Sequence, residues 1–346
     1  MPTGPTPELA AQLTWALKTL QRLASKMRKE RERQGAIGFE TDEVRFRLAP
    51  DGTPLEVYVK DRKEAHLLIE DFMLLANKEV ALYMDGLGSV HQPGKRERSQ
   101  QPAGAPVPFI YRVHDLPNAE KVVEFARFAA EMGVKMKIDT PKQIAQSFND
   151  LMRKARSDER LKLLEPLAIR TMAKAIYTAK NIGHYGLGFS HYAHFTSPIR
   201  RYSDVLAHRI LERNLDGRRD RVDPEKLEAQ CKHISAQERK AADAERESIK
   251  YKQAEFVSKH IGQVMEGVVS GFIERGFFVE LAESRAEGLV EFRRLADSYT
   301  LEEGNLRATG RRYKRQIKMG DRVKVIVSSV DLDKRQIEME WLEEDA

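Results

Sequence analysis

Two adjacent arginines, Arg200 and Arg201, follow a Ser197-Pro198 step inside GHYGLGFSHYAHFTSPIRRYSDVLAHRIL, residues 183–211. Serine before proline reads as a helix cap followed by a first-turn proline. Both guanidinium groups then sit where the helix dipole is already positive. Cations gathered there call for an anion, and free backbone N–H groups beside arginine make a phosphate cradle. The competing arrangement is an internal ion pair with Asp204 or another acid. His184, His191 and His194 are the other chemically capable side chains here. Their spacing matches no helical zinc motif, so histidines packed within a loop are the simpler reading. Ser190 lacks the flanking glycines of a nucleophile elbow. Gly186 and Gly188 lack the strand–helix context of a dinucleotide loop. Cys231 stands alone, which excludes an internal disulfide and a multi-cysteine zinc site.

Hydrophobic periodicity predicts the elements that must hold this segment. Leu9, Leu13, Ala16, Leu20, Leu23 and Met27 recur at helical spacing. The polar run KMRKERERQ that follows is expected to be a solvated turn. AIGFE, EVRFRLA and PLEVYVK alternate as short strands, the last two joined at Asp51-Gly52. Helices are predicted over 64–84, 119–132, 141–155 and 166–180. Residues 86–108, rich in Gly, Pro, Gln and Arg, read as a surface loop. Within 183–211, Ile199, Tyr202, Leu206 and Ile210 are expected to form the buried stripe of a helix. Asp223-Pro224-Glu225 starts a long helix that ends before Gly262.

From about Ile261 the period changes to two. VMEGVVSG, GFFVEL, GLVEF, RVKVIVSS and RQIEMEW are five short strands in about eighty residues, which suggests a closed OB-type barrel. The fold class is therefore α+β: a mixed, helix-rich domain over 1–260, then a five-stranded barrel over 261–343. The barrel part carries 14 Lys and Arg against 17 Asp and Glu, and the whole chain is +6, so the larger part is +9. A basic larger domain points to a polyanionic partner. No apolar run approaches a membrane span and the N-terminus has no signal-peptide pattern, so a cytoplasmic protein is expected.

The run HYAHFTSPIRRYSDVLAHR resembles the signature of the RNB exoribonucleases, in particular the bacterial ribonuclease R group. GAIGFE at 35–40, EAHLLIEDFMLLAN at 64–77, YRVHDLP at 111–117 and AERES at 244–248 resemble further segments of that catalytic domain, in the same order. The tail is similar to the S1-type RNA-binding domain that ends such enzymes. The resemblance implies a processive, hydrolytic 3′→5′ exoribonuclease that acts on single-stranded RNA with Mg2+ and releases nucleoside monophosphates. It implies that Arg200 meets the phosphate at the scissile bond, with Arg201 beside it, and that Phe39 stacks on bases near the 3′ end. Glu70 and Glu245 would then meet the RNA near the entrance or the cleavage site. Each has a plainer alternative: Phe39 as a core-facing residue, the two acids as solvated or ion-paired surface groups. In the barrel, Phe277, Phe278 and Phe292 are candidate stacking residues, and alternation allows only one of Phe277 and Phe278 to face the core. The cluster Arg311, Arg312, Lys314, Arg315 and Lys318 either tracks phosphates or is a solvated loop. Glu291 stands where many such domains have a histidine.

Two-metal hydrolysis needs several converging carboxylates. In the family these come from an aspartate-rich segment upstream of the point where this chain starts. Glu70–Asp71, Asp331 with Asp333, Glu302–Glu303 and Glu343–Asp345 offer no equivalent cluster, so no metal ligand is assigned. The expectation is the C-terminal part of an exoribonuclease, its other half supplied separately, with a non-catalytic single-stranded RNA-binding protein as the alternative.

Overall fold

The computed structural model describes residues 7–39, 43–86, 107–162, 164–215, 222–302, 304 and 306–343. Most of the loop expected at 86–108 lies outside the described residues, as do Glu303 and Asp345. In chain order the elements are α1 (Pro7–Arg33), β1 (Val44–Leu48), β2 (Pro54–Val59), α2 (Glu64–Asp85), β3 (Tyr111–Val113), α3 (Ala119–Glu131) and α4 (Pro141–Ala155). They continue with α5 (Glu159–Lys162), α6 (Leu164–Thr171), β4 (Ile176–Thr178), α7 (Tyr202–Asn214) and α8 (Pro224–Ser258). Eight strands follow: β5 (Val264–Ile273), β6 (Gly276–Leu281), β7 (Glu287–Glu291), β8 (Tyr299–Leu301), β9 (Arg307–Gly310), β10 (Gln316–Lys318), β11 (Arg322–Asp331) and β12 (Gln336–Leu342).

These elements form two compact units, neither of them one continuous stretch. The first comprises Met1–Phe39, Arg62–Leu151 and Ala168–Glu238; the second comprises Glu40–Asp61, Met152–Leu167 and Arg239–Ala346. In the first unit α1 lies along α2. The joint is charged: Arg28 donates from Nε and Nη2 to Asp71 Oδ2 at 2.9 and 2.7 Å, and Arg31 reaches Oδ1 at 3.5 Å. Asp71 is buried. This need explains why KMRKERERQ stays helical through Arg33 instead of turning: both arginines must sit on the face toward α2. The core here gathers Phe109, Ile110 and Tyr111 around Met84, Tyr177, Leu206, Ile210 and Leu227.

Residues 176–178 also depart from expectation. The helix predicted over 166–180 stops at Thr171, and Ile176–Thr178 pairs antiparallel with Tyr111–Val113. The Tyr177 backbone N–H donates to Ser235 Oγ on α8 at 2.9 Å. Tertiary pairing overrides local helix propensity. The described part of AIGFE, residues 36–39, is likewise not a strand. They are tied instead by Ile37 N–H to the Gly186 carbonyl at 2.9 Å and Gly38 N–H to Asn149 Oδ1 at 3.0 Å.

In the second unit β11-β12-β7-β6-β5 close into a five-stranded barrel, built from the strands that alternation predicts. Its interior holds Val269, Phe277, Val279, Leu281, Val290, Val325, Val327 and Met339, all essentially inaccessible. β8, β9 and β10 form a small antiparallel sheet beside it in sequence. The β1–β2 hairpin belongs to this unit. Val57 packs on the barrel core, and Lys252 and Lys259 donate to the Gly52 and Pro54 carbonyls at 2.7 and 3.1 Å.

Barrel closure leaves no room above Gly276. A Cβ there would stand 2.2 Å from the Val290 carbonyl oxygen and 3.0 Å from Glu291 Cα, both main chain. Gly276→Ala is expected to destabilise the barrel by about 1–3 kcal/mol, as overpacking does. Urea unfolding followed through Trp341 fluorescence checks this, and an unchanged midpoint would contradict the tight β6–β7 register.

Candidate RNA-binding site

The arginine pair of the first unit is resolved by one buried acid. Asp204, inaccessible to solvent, accepts from the Ser197 backbone N–H at 2.7 Å and from Ser203 Oγ at 3.0 Å. Arg201 clamps it with Nε on Oδ2 and Nη2 on Oδ1, both at 2.9 Å. Four donors saturate this carboxylate. Because it bonds backward to Ser197 and Arg201, residues 198–200 form a turn, with the Arg200 and Arg201 N–H groups on the Ser197 carbonyl. The helix starts only at Tyr202.

Three expectations change with this geometry. Ser197-Pro198 is not the helix start, since the side chain that closes the turn is Asp204. Arg201 is not an open phosphate ligand, because its charge is spent on that carboxylate. Ile199 and Tyr202 are not on the buried stripe: Ile199 is fully exposed and Tyr202 half exposed, whereas Leu206 and Ile210 are buried. Arg200 remains. It is exposed, and its side chain has no hydrogen bond or ion pair among the described residues.

Neighbouring groups fix the loop that leads into the turn. Asn77 of α2 accepts the Phe195 and Thr196 N–H groups at 2.9 and 3.2 Å, and donates to Tyr192 Oη at 3.1 Å. The His208 ring stacks on Phe195 at 3.9 Å and bonds its carbonyl at 2.8 Å. His194 Nδ1 lies 2.7 Å from Tyr177 Oη. Burial raises the Tyr177 pKa, so the phenol keeps its proton and donates it to the imidazole. Arg112 covers the Tyr177 ring at 4.6 Å and pairs with Glu238 at 2.5 Å. Burial, then the charges of Arg201 and Arg112, push the His194 pKa down to about 2. The imidazole therefore adds no charge beside Arg200.

His184 is held the same way. It stacks on His114 at 5.1 Å, and each Nδ1 accepts a backbone N–H, His184 from Leu187 and His114 from Gly186. A protonated ring can accept neither bond. Burial first, then His114 and Arg112, lowers the His184 pKa to about 3. The histidines are thus packed loop groups, and His191 pairs instead with Asp85 at 2.9 Å.

The remaining candidates are scattered. Phe39 is half-buried against Phe148, with ring centroids 5.8 Å apart. Glu70 is ion-paired with Arg62. Glu245 lies exposed on α8. Phe277 is fully buried, which corrects its assignment as a stacking residue; Phe278, on the opposite face, is half-buried. Phe292 is half-buried and stacks on Tyr299 at 5.6 Å. Arg112, Tyr177, Glu238 and Asn77 escaped the sequence reading. Tyr177 lay in a segment read as helix, and the others meet the site only through long-range packing.

Magnesium has no matching donor set among the described residues, where no group of three His, Cys, Asp or Glu side chains is arranged to hold a metal. Asp71 and Asp204 are both committed to arginines.

Unfolded imidazoles take up protons from about pH 6.5 downward. His184 and His194 resist until about 3 and 2. The unfolded state then binds more protons, so acidification below about pH 6.5 costs stability continuously until the folded pKa values are reached. Between pH 7 and 5 the urea midpoint of the unmodified chain should fall more than that of His184→Gln. Equal falls would show that the burial of this ring is not what keeps it neutral.

The matches to known proteins agree with this architecture. The RNB domain model matches residues 3–217 and the S1 RNA binding domain model residues 258–341. Ribonuclease R of Aquifex aeolicus is 37% identical over 335 residues, covering 94% of this chain and 44% of that protein. The Escherichia coli ribonuclease R is 30% identical over 343 residues, covering 96% and 40%. The chain thus spans less than half the length of these relatives. A solved Mycoplasma genitalium RNase R, in complex with ribose methylated single-stranded RNA, superposes with a TM-score of 0.82 at 24% identity, covering 94% of this chain and 49% of that one. Among the described residues no helix is long and apolar enough to cross a membrane. With one family model spanning most of its length and ribonuclease R sequences matching nearly all of it, the chain belongs to the RNB exoribonuclease family.

Proposed function

We propose that this chain is the strand-gripping C-terminal portion of a processive, hydrolytic 3′→5′ exoribonuclease of the ribonuclease R type, cytoplasmic, dividing near Ile261 into RNB and S1 parts. The observation that carries this reading is the division of labour between the two arginines. Asp204 consumes the charge of Arg201 and braces the turn, while Arg200 projects from it without a partner among the described residues. A braced turn beside neutral His194 presents the Arg200 guanidinium on a backbone of fixed position, uncommitted among the described residues. Such a group meets a phosphate of RNA without first breaking an ion pair and favours charge developing on it. The RNA complex of the Mycoplasma genitalium relative supports single-stranded RNA as the ligand class. Phe39, Phe278 and Phe292, all half-buried, are the aromatic surfaces proposed to receive bases. Glu70 and Glu245 are each proposed to meet the RNA, near its entrance or the cleavage site.

Cutting is a separate matter. Four acids of the first unit are spent on cations: Asp204 on Arg201, Glu238 on Arg112, Glu70 on Arg62, Asp71 on Arg28 and Arg31. This favours a chain that grips without cleaving, with Mg2+ and its aspartates contributed by another segment. A purely RNA-binding protein derived from such an enzyme is the alternative the same observation allows.

Incubation of 5′-labelled single-stranded RNA with this chain and Mg2+ is expected to give binding without shortening. Affinity should fall with salt at a log–log slope of about −0.7 per phosphate neutralised. Arg200→Ala should weaken binding roughly tenfold, in keeping with loss of a charged hydrogen bond. A ladder down to short oligomers would overturn the grip-only reading, and an unaffected Arg200→Ala would remove the phosphate contact.

A further inference from the structure

The turn between β9 and β10 carries Arg311, Arg312, Lys314 and Arg315 around one aromatic residue, Tyr313. A basic run in a turn is ordinarily a solvated loop, but this one is held. Asp297 is buried, and its carboxylate accepts the backbone N–H groups of Ser298 at 2.7 Å, Arg312 at 3.0 Å and Tyr313 at 2.9 Å. Gly310 makes that approach possible, since a Cβ there would stand 2.5 Å from Asp297 Oδ2. The Gly310 N–H donates to the Arg315 carbonyl at 2.8 Å and the Arg311 N–H to the Ser298 carbonyl at 2.9 Å. Lys314 adopts φ 57°, a left-handed conformation that a non-glycine residue holds only where its surroundings enforce it.

On this pedestal Tyr313 is 61% exposed, with the Arg312 guanidinium 5.0 Å from its ring centroid. Arg315 lies 4.4 Å from the Trp341 ring and 3.5 Å from Glu343. A ring carried on a backbone already held by hydrogen bonds costs less ordering when a flat partner stacks on it than one on a mobile loop. Arginine at its side adds a second stacking plane and a charge for phosphate. One ring among four cations is not the contiguous apolar patch that a protein partner or a bilayer requires. A flat π-system joined to an anion is the chemistry that fits, and a nucleotide of a single strand has both.

We propose that the Arg311–Arg315 turn is a second single-stranded RNA contact of the S1 part, additional to Phe278 and Phe292. One base stacks on Tyr313 while flanking phosphates meet Arg312 and Lys314. This inference rests on the RNA-gripping reading above.

Fluorescence anisotropy of the full chain with a 5′-fluorescein 20-mer of oligo(U) tests it. Tyr313→Ala should weaken binding at least about fivefold, from the stacking lost, and Tyr313→Phe should restore it because the hydroxyl is not needed. Arg312→Gln should reduce the salt slope by about 0.7. Wild-type affinity retained in Tyr313→Ala, with Arg200→Ala still impaired, overturns this proposal and leaves the grip intact. An unmodified chain with no salt-sensitive RNA binding overturns both. Sedimentation with phosphatidylserine vesicles that is lost in Tyr313→Ala, with RNA binding unchanged, assigns the turn to lipid and overturns it equally.

Discussion

The carboxylate of Asp204 organises the candidate site. A buried aspartate is tolerable only when its oxygens are filled, and here four donors fill them. Three of those donors belong to Ser197 and Arg201, so satisfying the acid folds the chain between them into a turn. The helix after it is thereby shortened, and Ile199, Arg200 and Tyr202 face solvent. One buried charge thus divides two chemically equivalent arginines into a brace and a contact.

The environment around the turn removes competing charge. His194, His184 and His114 are all buried enough to have lowered pKa values, and the nearby arginines push His194 and His184 lower still. A histidine that charged beside Arg200 would repel it and demand an anion of its own. Neutral rings instead serve as packing and as acceptors for backbone N–H groups. The same economy appears in the barrel unit, where the carboxylate of Asp297 is consumed by main-chain donors and shapes a basic turn without neutralising it. In both units an acid is spent on architecture so that a neighbouring arginine stays open.

How far the site could be read from residues alone depended on the range of the interaction. The segment containing Arg200 was legible because its residue types are so uncommon in that order. Its Asp204 partner was foreseen only as an alternative, because choosing between Arg200 and Arg201 requires knowing which way the turn closes. Alternation showed that one of Phe277 and Phe278 must be interior. Which one is set by pairing: Phe277 sits opposite Val290 and Phe272, and all three point into the barrel.

The sequence by itself determined the barrel, the long helices and the hairpin at Asp51-Gly52, because each is specified by a period or a turn residue within a short window. It determined the family as well, through motifs in fixed order. Only the tertiary structure decided that residues 176–178 are a strand, that the basic run after Met27 stays helical, and that Arg201 is structural while Arg200 is open. For the strand and the helix the deciding partner lies well outside the local pattern, Tyr111–Val113 and Ser235 for the one and Asp71 for the other; for the arginines it is Asp204, near in sequence but decisive only once packing has buried it. Local periodicity carries no record of the distant partners or of burial, since both exist only after the chain has closed on itself.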